Sequence, residues 1–316
     1  MKSFVIGIDT SCYTTSVACV STEGIVFEKR TVLSVPLGAR GLRQSDALFQ
    51  HVRNLPALIR ALFEAIDGRD VLAVCASAKP AAATDSYMPV FLSGTQTAVS
   101  IACTLGVPML EQTHQAGHVR AALHGNEGLR SKRELLALHL SGGTTDILRV
   151  TLDRGKIRRI EPLGGSDDLH AGQFVDRVGV RLGLPFPSGQ SLEKLAASAV
   201  MRDIRLPSSV RGLHCSFSGQ ETQAIRLWDE GAVNEEIAYA VYDCLARTVA
   251  KLIDHAARLY GPLPVLLSGG VSGSALLRQL LAQRTRRELF NAPEGLSSDN
   301  AVGTALLGLD EVNAHG

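Results

Sequence analysis

His114 and His118 stand four residues apart in Thr113-His114-Gln115-Ala116-Gly117-His118, a segment with helical character up to Gly125. On a helix that spacing puts both imidazoles on one face, one turn apart, where they can share a metal ion. Zinc metalloproteases use the related H-E-x-x-H, but the position of their general base is Gln115 here, so protease chemistry is set aside. Two partly buried histidines with local hydrogen bonds fit the spacing equally well. A third ligand would separate these readings. Asp299, in Ser297-Ser298-Asp299-Asn300 at a helix start, offers a carboxylate oxygen, or else simply caps that helix. Asp9, Asp146, Asp176 and the pair Asp167-Asp168 are the other conspicuous acids. Carboxylates beside phosphate loops hold Mg²⁺ or a ribose hydroxyl, or cap a turn.

Two stretches that echo each other must position these groups. Phe4 to Ser11 is a buried-strand pattern that turns to Thr14-Thr15 and continues to Val20. Leu135 to Leu140 turns through Ser141-Gly142-Gly143-Thr144-Thr145 and continues to Val150. Each reads as a hairpin whose turn carries hydroxyls and backbone N–H groups suited to a phosphate chain. Their separation by about half the chain points to a duplicated fold gripping a nucleotide. A third element, Pro264 to Ser268, runs into Gly269-Gly270-Val271-Ser272-Gly273-Ser274 and then a helix. Glycines between strand and helix let the backbone approach a charged ligand, although an ordinary βα turn has the same pattern.

The 316 residues suffice for two lobes, each with its own core, and 45% hydrophobic with 20% charged residues is ordinary for an α/β protein. A net charge of +1 gives no global sign of nucleic-acid binding. The basic runs at 154–159 and 284–287 read as solvated faces. Six scattered cysteines (12, 19, 75, 103, 215 and 244) form no C-x-x-C pair and resemble small core residues of a reduced protein. Asp9 interrupts the first apolar run, so no signal peptide or membrane span is expected, and the expected location is cytoplasmic. Helices are expected over 45–65, 96–105 and 233–260, and a strand over 71–76. The polar run 130–134 marks the lobe boundary: residues 1–132 form lobe I, 133–299 lobe II, and a small apolar helix from 300 packs back on lobe I.

With these motifs in hand, the chain resembles the TsaD family, whose older names are Gcp and O-sialoglycoprotein endopeptidase. Gly7-Ile8-Asp9-Thr10-Ser11-Cys12 resembles G-I-E-T-S-C, His51-Val52-Arg53 resembles the end of a D-H-V-R helix, and His114 to His118 resembles H-x-E-G-H. Ser141-Gly142-Gly143 is similar to the start of S-G-G-H-T, Ala171 to Asp176 to A-G-E-A-F-D, and Pro187-Ser188-Gly189 to P-G-G. Ser216 to Gly219 resembles S-F-S-G, Gly269 to Ser272 G-G-V-S, and Ser298-Asp299-Asn300 T-D-N-G.

The resemblance implies an α/β, actin-like ATPase fold, shared with sugar kinases and heat-shock chaperones, with a nucleotide and metal cleft between two duplicated lobes. It implies one divalent metal on His114, His118 and Asp299; this donor set admits Fe, Zn or Mn and Mg less readily. ATP, AMP or threonylcarbamoyl-AMP would lie against Ser141, Gly142, Gly143, Thr144, Asp176, Gly189, Gly269, Gly270 and Ser274. The implied reaction moves a threonylcarbamoyl group to N6 of the tRNA adenosine beside the anticodon, alongside a TsaB-like paralogue and a TsaE-like ATPase.

Departures cluster around the site: Tyr13-Thr14 replace an acidic pair, Ala78-Lys79-Pro80 a G-P-G loop, Ala116 a glutamate, Thr144 a histidine, Glu221 a lysine, Ser274 an asparagine and Ala301 a glycine. They admit two alternatives, a carbamoyltransferase or kinase of the same fold on another substrate, or a non-catalytic scaffold.

Overall fold

Both expected hairpins form in the computed structural model, which describes residues 3–11, 13–36, 41–82 and 88–315. By contact the chain divides into two compact units, Met1–Ser34 with Leu42–Gly125 and Pro293–Gly316, and Val35–Gly41 with Asn126–Ala292. The boundary expected before residue 133 thus falls after Gly125, and the segment carrying Asp299 belongs with the first unit rather than the second. Cys12, of the expected G-I-E-T-S-C likeness, lies outside the described residues.

The first unit runs β1 (Phe4–Asp9), β2 (Thr14–Ser21), β3 (Gly24–Val32), α1 (Gln44–Ala65), β4 (Val71–Lys79), α2 (Phe91–Leu105), β5 (Met109–Thr113) and α3 (His114–Leu123). The second comprises α4 (Glu127–Arg130), β6 (Glu134–Leu140), β7 (Thr145–Asp153), β8 (Lys156–Ser166), α5 (Ala171–Arg181), α6 (Gly189–Ala197), β9 (Ser209–Arg211), β10 (His214–Ser216), α7 (Ser218–Asp229), α8 (Asn234–Tyr260), β11 (Val265–Ser268), α9 (Ala275–Ala282) and β12 (Leu289–Asn291). The last helix, α10 (Val302–His315), returns to the first unit.

Sheet order exposes the duplication. The first sheet is β3-β2-β1-β4-β5, and the second contains β8-β7-β6-β11-β12 within β12-β11-β6-β7-β8-β10-β9. Each is an antiparallel three-strand meander followed by two parallel strands. The parallel strands need helical crossovers, which is why the hairpin signal recurs but the intervening helices differ in length.

Alternation along β1 sets the layers of the first unit. Ile6 and Ile8 enter a core with Leu55, Leu58 and Leu62 of α1 and Ala98 of α2, whereas Val5 enters the opposite core with Ala301, Ala305 and Leu309. On that second face the helix sits unusually close: a Cβ on Gly7 would meet Ala301 O at 2.4 Å, and one on Gly308 would meet Cys75 Cβ at 2.8 Å. Small residues at these positions let α10 lie on the strands that lead into the site. In the second unit, α8 fastens an extended segment with three side chains one turn apart. Arg247 donates to Leu206 O, Lys251 to Ser208 O and His255 to Gly212 O. Cys19, Cys75, Cys215 and Cys244 are buried free thiols. Among the described residues, no helix is long and apolar enough to cross a membrane.

Candidate metal centre

Strand β5 passes directly into α3, and Thr113 marks the change by accepting the Ala116 N–H on its side chain at 3.1 Å. The first helical residue is therefore His114, with His118 one turn on. Their rings stand edge to face at 4.4 Å between centroids, and the two Nε2 atoms are 3.0 Å apart. Asp299 meets them from the loop before α10: its Oδ1 lies 3.1 Å from His118 Nε2 and 3.6 Å from His114 Nε2. Capping of α10 falls to the neighbour, because Asn300 Oδ1 accepts the Val302 and Gly303 N–H groups at 3.1 and 3.4 Å. The Asp299 side chain is thereby left to the histidines. Arg30 of β3 fixes the loop by donating to Ser298 Oγ at 2.8 Å and to Asp299 O at 3.5 Å.

This triangle fits a metal. Two donor atoms on one ion, each at the usual 2.0–2.2 Å, are separated by about 2.8–3.6 Å at octahedral or tetrahedral angles. The three candidate atoms lie within 4.8 Å of one another, with edges of 3.0, 3.1 and 3.6 Å. Charge agrees. Burial lowers the basicity of His114, but Asp9 and Asp299 outweigh it and the imidazole is pushed up to about 10. Burial and the charge on His114 together pull His118 down. Burial also opposes ionisation of Asp299, yet its hydrogen bonds to both histidines hold it well below the usual carboxylate range. One proton therefore sits between two carboxylates, and a divalent cation in its place brings the charge of the cluster to zero.

Asp9 stands behind the triangle at the end of β1, fully buried, with Oδ1 3.0 Å from His114 Nδ1. Its other oxygen accepts from Ser11 Oγ at 2.5 Å. A carboxylate on the remote nitrogen fixes the tautomer and leaves Nε2 facing the candidate metal position. From sequence alone Asp9 reads as a possible Mg²⁺ or ribose ligand; the fold gives it to His114. Asp9→Asn is expected to lower metal affinity about 10–100-fold, read by competition with a chromogenic chelator. The sign of the pH effect follows from His114. Its raised basicity means the proton competes with metal, so apparent affinity in the parent protein climbs from pH 7 towards pH 10 by about tenfold per unit. Asp9→Asn should flatten that slope near neutrality; an unchanged slope and affinity would remove Asp9 from the site.

The other expected residues all lie in the second unit. Ser141 closes its turn itself, its Oγ accepting from Gly143 N at 3.2 Å and Thr144 N at 3.1 Å. Helix α5 is pinned against that turn by Gly172 N to Ser141 O at 3.0 Å and Ala171 N to Thr145 Oγ1 at 2.7 Å. A Cβ on Gly172 would come within 2.6 Å of Gly142 Cα. Gly269 has φ of +87° and would press a Cβ to 2.4 Å from Leu140 O, so both conformation and space demand glycine. Gly270 starts the short turn that follows, and Ser274 caps α9 by accepting Leu277 N–H at 3.1 Å. Gly189 opens α6. Asp176 accepts Ser188 N–H at 2.7 Å, and burial pushes its carboxyl up to about 6 against that hydrogen bond.

Several departures acquire local roles. Glu221 pairs with Arg177 at 3.3 Å, Pro80 O accepts Gln115 N–H at 2.9 Å, and Ala301 N donates to Ser16 Oγ at 2.8 Å.

A family profile described as "TsaD: tRNA N6-adenosine threonylcarbamoyltransferase" matches residues 39–306. A Thermus thermophilus protein named tRNA N6-adenosine threonylcarbamoyltransferase is 33% identical over 310 residues, spanning 96% of this chain and 91% of its own. A protein of the same name from Methanopyrus kandleri is 28% identical over 317 residues, 98% and 88% of the two chains. Among solved structures, the activator of 2-hydroxyisocaproyl-CoA dehydratase from Clostridium difficile with bound ADPNP superposes with a TM-score of 0.60. It shares 16% identity and covers 99% of this chain and 96% of that one. A ROK family glucokinase from Streptomyces griseus in complex with glucose and AMPPNP gives 0.53 at 15% identity, covering 96% and 98%. At such identities the likeness carries the fold, which is the actin-like ATPase fold.

Proposed function

Because the chain belongs to the TsaD family of tRNA N6-adenosine threonylcarbamoyltransferases, we propose that it is an enzyme of tRNA threonylcarbamoyladenosine synthesis. It moves the threonylcarbamoyl group from threonylcarbamoyl-AMP to N6 of the tRNA adenosine next to the anticodon, and AMP leaves. The observation that carries this reading is the largely buried triangle of His114, His118 and Asp299 backed by the fully buried Asp9. A non-catalytic scaffold has no use for so costly an arrangement of desolvated charge.

His114, His118 and Asp299 would hold one divalent metal, Fe, Zn or Mn, which would supply Lewis-acid stabilisation of developing negative charge. The turn at Ser141 to Thr144, the Gly269-Gly270 loop, Asp176, Gly189 and Ser274 hold the adenylate. Asp176, raised to about 6, is close to neutrality in its titration and suits a ribose hydroxyl as either donor or acceptor. Catalysis rests on orientation and on charge neutralisation at the leaving phosphate.

A TsaB-like paralogue is the partner on the first unit, with a TsaE-like ATPase as a further component, and the setting is cytoplasmic. An apolar groove of about 510 Å³ between α1 and α2, lined by Leu48, Val52, Pro56, Ile59 and Leu92, supports such docking. Phe49 at 62% and Val52 at 55% exposure lie on the same helix.

The test is transfer itself. Metal-loaded protein, a TsaB-like and a TsaE-like partner, synthetic threonylcarbamoyl-AMP and unmodified tRNA should yield threonylcarbamoyladenosine by nucleoside mass spectrometry, with one AMP released per modified base. Absence of product from folded, metal-loaded protein, where a T. thermophilus relative works in the same mixture, would overturn the reading.

A further inference from the structure

One transverse row of the first sheet holds both sides of the candidate metal centre, the histidine side and the aspartate side. In the β1–β2 ladder Asp9 lies opposite Ser16, and in the β2–β3 ladder Ser16 lies opposite Arg30. Residues directly opposite in an antiparallel pair project to the same face, so these three side chains leave the sheet together, over a span of about 10 Å. The neighbouring row on that face is Gly7, Ala18 and Glu28. It is small where α10 crosses, as the 2.4 Å between a Cβ on Gly7 and Ala301 O shows. Small residues admit the helix, and the polar row beyond them meets the loop that precedes it.

Each member of the row holds a different part. Asp9 Oδ1 stands 3.0 Å from His114 Nδ1. Ser16, fully buried, accepts Ala301 N–H on its Oγ at 2.8 Å. Arg30 Nη1 donates to Ser298 Oγ at 2.8 Å and to Asp299 O at 3.5 Å, and its Nε meets Glu28 at 3.3 Å, which aims the guanidinium. The main chain around Asp299 is thereby anchored to the sheet one residue before it and two residues after it. Bonds within the loop, Asn300 Nδ2 to Leu296 O at 3.1 Å and to Ser298 O at 2.7 Å, shape it without attaching it to a strand. The anchors matter most when a cation is bound. Asp299 is drawn towards the histidines by hydrogen bonding to His118 Nε2 at 3.1 Å. A cation on the three atoms needs those nitrogens unprotonated, so the carboxylate must then be placed by its backbone.

We propose that Arg30 and Ser16 are positioning residues for the metal: with Asp9 they form one row of the sheet that presets the distance between Asp299 and the His114–His118 pair. This rests on the metal reading above. Neither residue is a ligand, and both act through the main chain that carries Asp299.

Competition for Zn²⁺ against a chromogenic chelator tests it, with apo melting temperatures of the same proteins. Arg30→Met keeps the apolar stem and should weaken Zn²⁺ about tenfold, the lower end of what partners behind a ligand contribute. The sign decides between mechanisms. If Arg30 acted only through its charge, removing that cation would strengthen the binding of another. The apo variant should melt within about 3 °C of the parent, because a partly exposed ion pair is worth little. Ser298→Ala should weaken Zn²⁺ less, since Asp299 O still accepts from Arg30, and the double variant should match Arg30→Met alone. Ser16→Ala leaves the Ala301 N–H unsatisfied in the core and should weaken Zn²⁺ at least as much as Arg30→Met. Unchanged or tighter Zn²⁺ in Arg30→Met overturns the proposal while leaving the metal centre standing. Additive losses in the double variant also overturn it, because Arg30 and Ser298 then act separately. A parent without affinity for Zn²⁺ defeats the proposal and the metal reading together. Zn²⁺ affinity that depends on Arg30 in a protein that never modifies tRNA upholds the row and defeats only the assigned reaction.

Discussion

His118→Ala protein should fold and be nearly free of metal. His118 is 3% exposed and sits mid-helix, where alanine is a better helix former and leaves a small polar hole rather than an unpaired charge. His118 is the neutral member of the cluster, since burial and the adjacent His114 charge both lower its basicity. Its loss takes one hydrogen bond from Asp299 but leaves Asp9 in place and the proton on His114 to face that carboxylate, and the apo fold survives. Metal binding does not, because two donors remain of three. Changing a partner that merely orients a ligand costs about 10–100-fold in affinity, so deleting the ligand itself should exceed 100-fold. Transfer activity should fall by a similar or larger factor, and excess metal should restore part of it. Elemental analysis with circular dichroism checks this. A folded His118→Ala protein that retains a full equivalent of metal would show that the triangle is only a hydrogen-bonded cluster.

Metal and pH act on one proton, with opposite signs for stability and for loading. His114 is raised from its usual value to about 10 in the folded protein, so its contribution to stability is fully present below about pH 6.5 and is lost as pH rises through 10. Metal loading improves over the same interval. The apo protein is thus most robust where it binds metal least. An excess of metal over its dissociation constant offsets the loss at high pH by mass action.

Much of this site is legible in the sequence because its parts are local. The i, i+4 pair His114 and His118 needs only a helix, and the hairpins at Phe4–Val20 and Leu135–Val150 declare themselves by strand–turn–strand patterning. Likewise the long apolar faces of α1 and α8 fall within a residue or two of their expected ends. What the sequence hides is long-range. Asp9 reaches His114 across 105 residues, Ser77 reaches Thr304 across 227, and Arg30 reaches Ser298 across 268. No periodicity encodes those meetings. Helix α2 begins at Phe91 rather than near residue 96 because Ser93, Gly94 and Thr95 interrupt the apolar pattern; the Ser93 and Thr95 hydroxyls instead bond carbonyls three residues back. Asp299 is ambiguous for a related reason: Asp-Asn before a helix offers two possible caps, and only the fold selects Asn300.

Gly303→Ala is expected to be among the most damaging single changes in the first unit, and it would act on the metal from a distance. A Cβ at position 303 would lie 1.8 Å from Gly117 O and 2.6 Å from Gly117 C, main chain against main chain. Ordinary contact needs roughly 1.5 Å more, and no side chain can yield to provide it. Nor can α10 retreat from α3. It is wedged on its other side by Ala301 against Gly7 and by Gly308 against Cys75, and it is tied to α3 by Arg120 with Asp310 at 2.6 Å. Overpacking of a tight interior costs about 1–3 kcal/mol and more where backbone is involved, so a loss of roughly 3 kcal/mol is expected from urea unfolding. Because Gly303 lies four residues past Asp299, and Gly117 lies between the two histidines in sequence, any opening of this crossing separates the ligands. Metal affinity should therefore fall in whatever fraction stays folded. Gly128→Ala, with nothing within 4 Å of the added Cβ, is the control and should leave both properties within error of the parent. If Gly303→Ala unfolds at the control's urea midpoint and keeps its metal, then close contact between α3 and α10 is not what holds His114, His118 and Asp299 together.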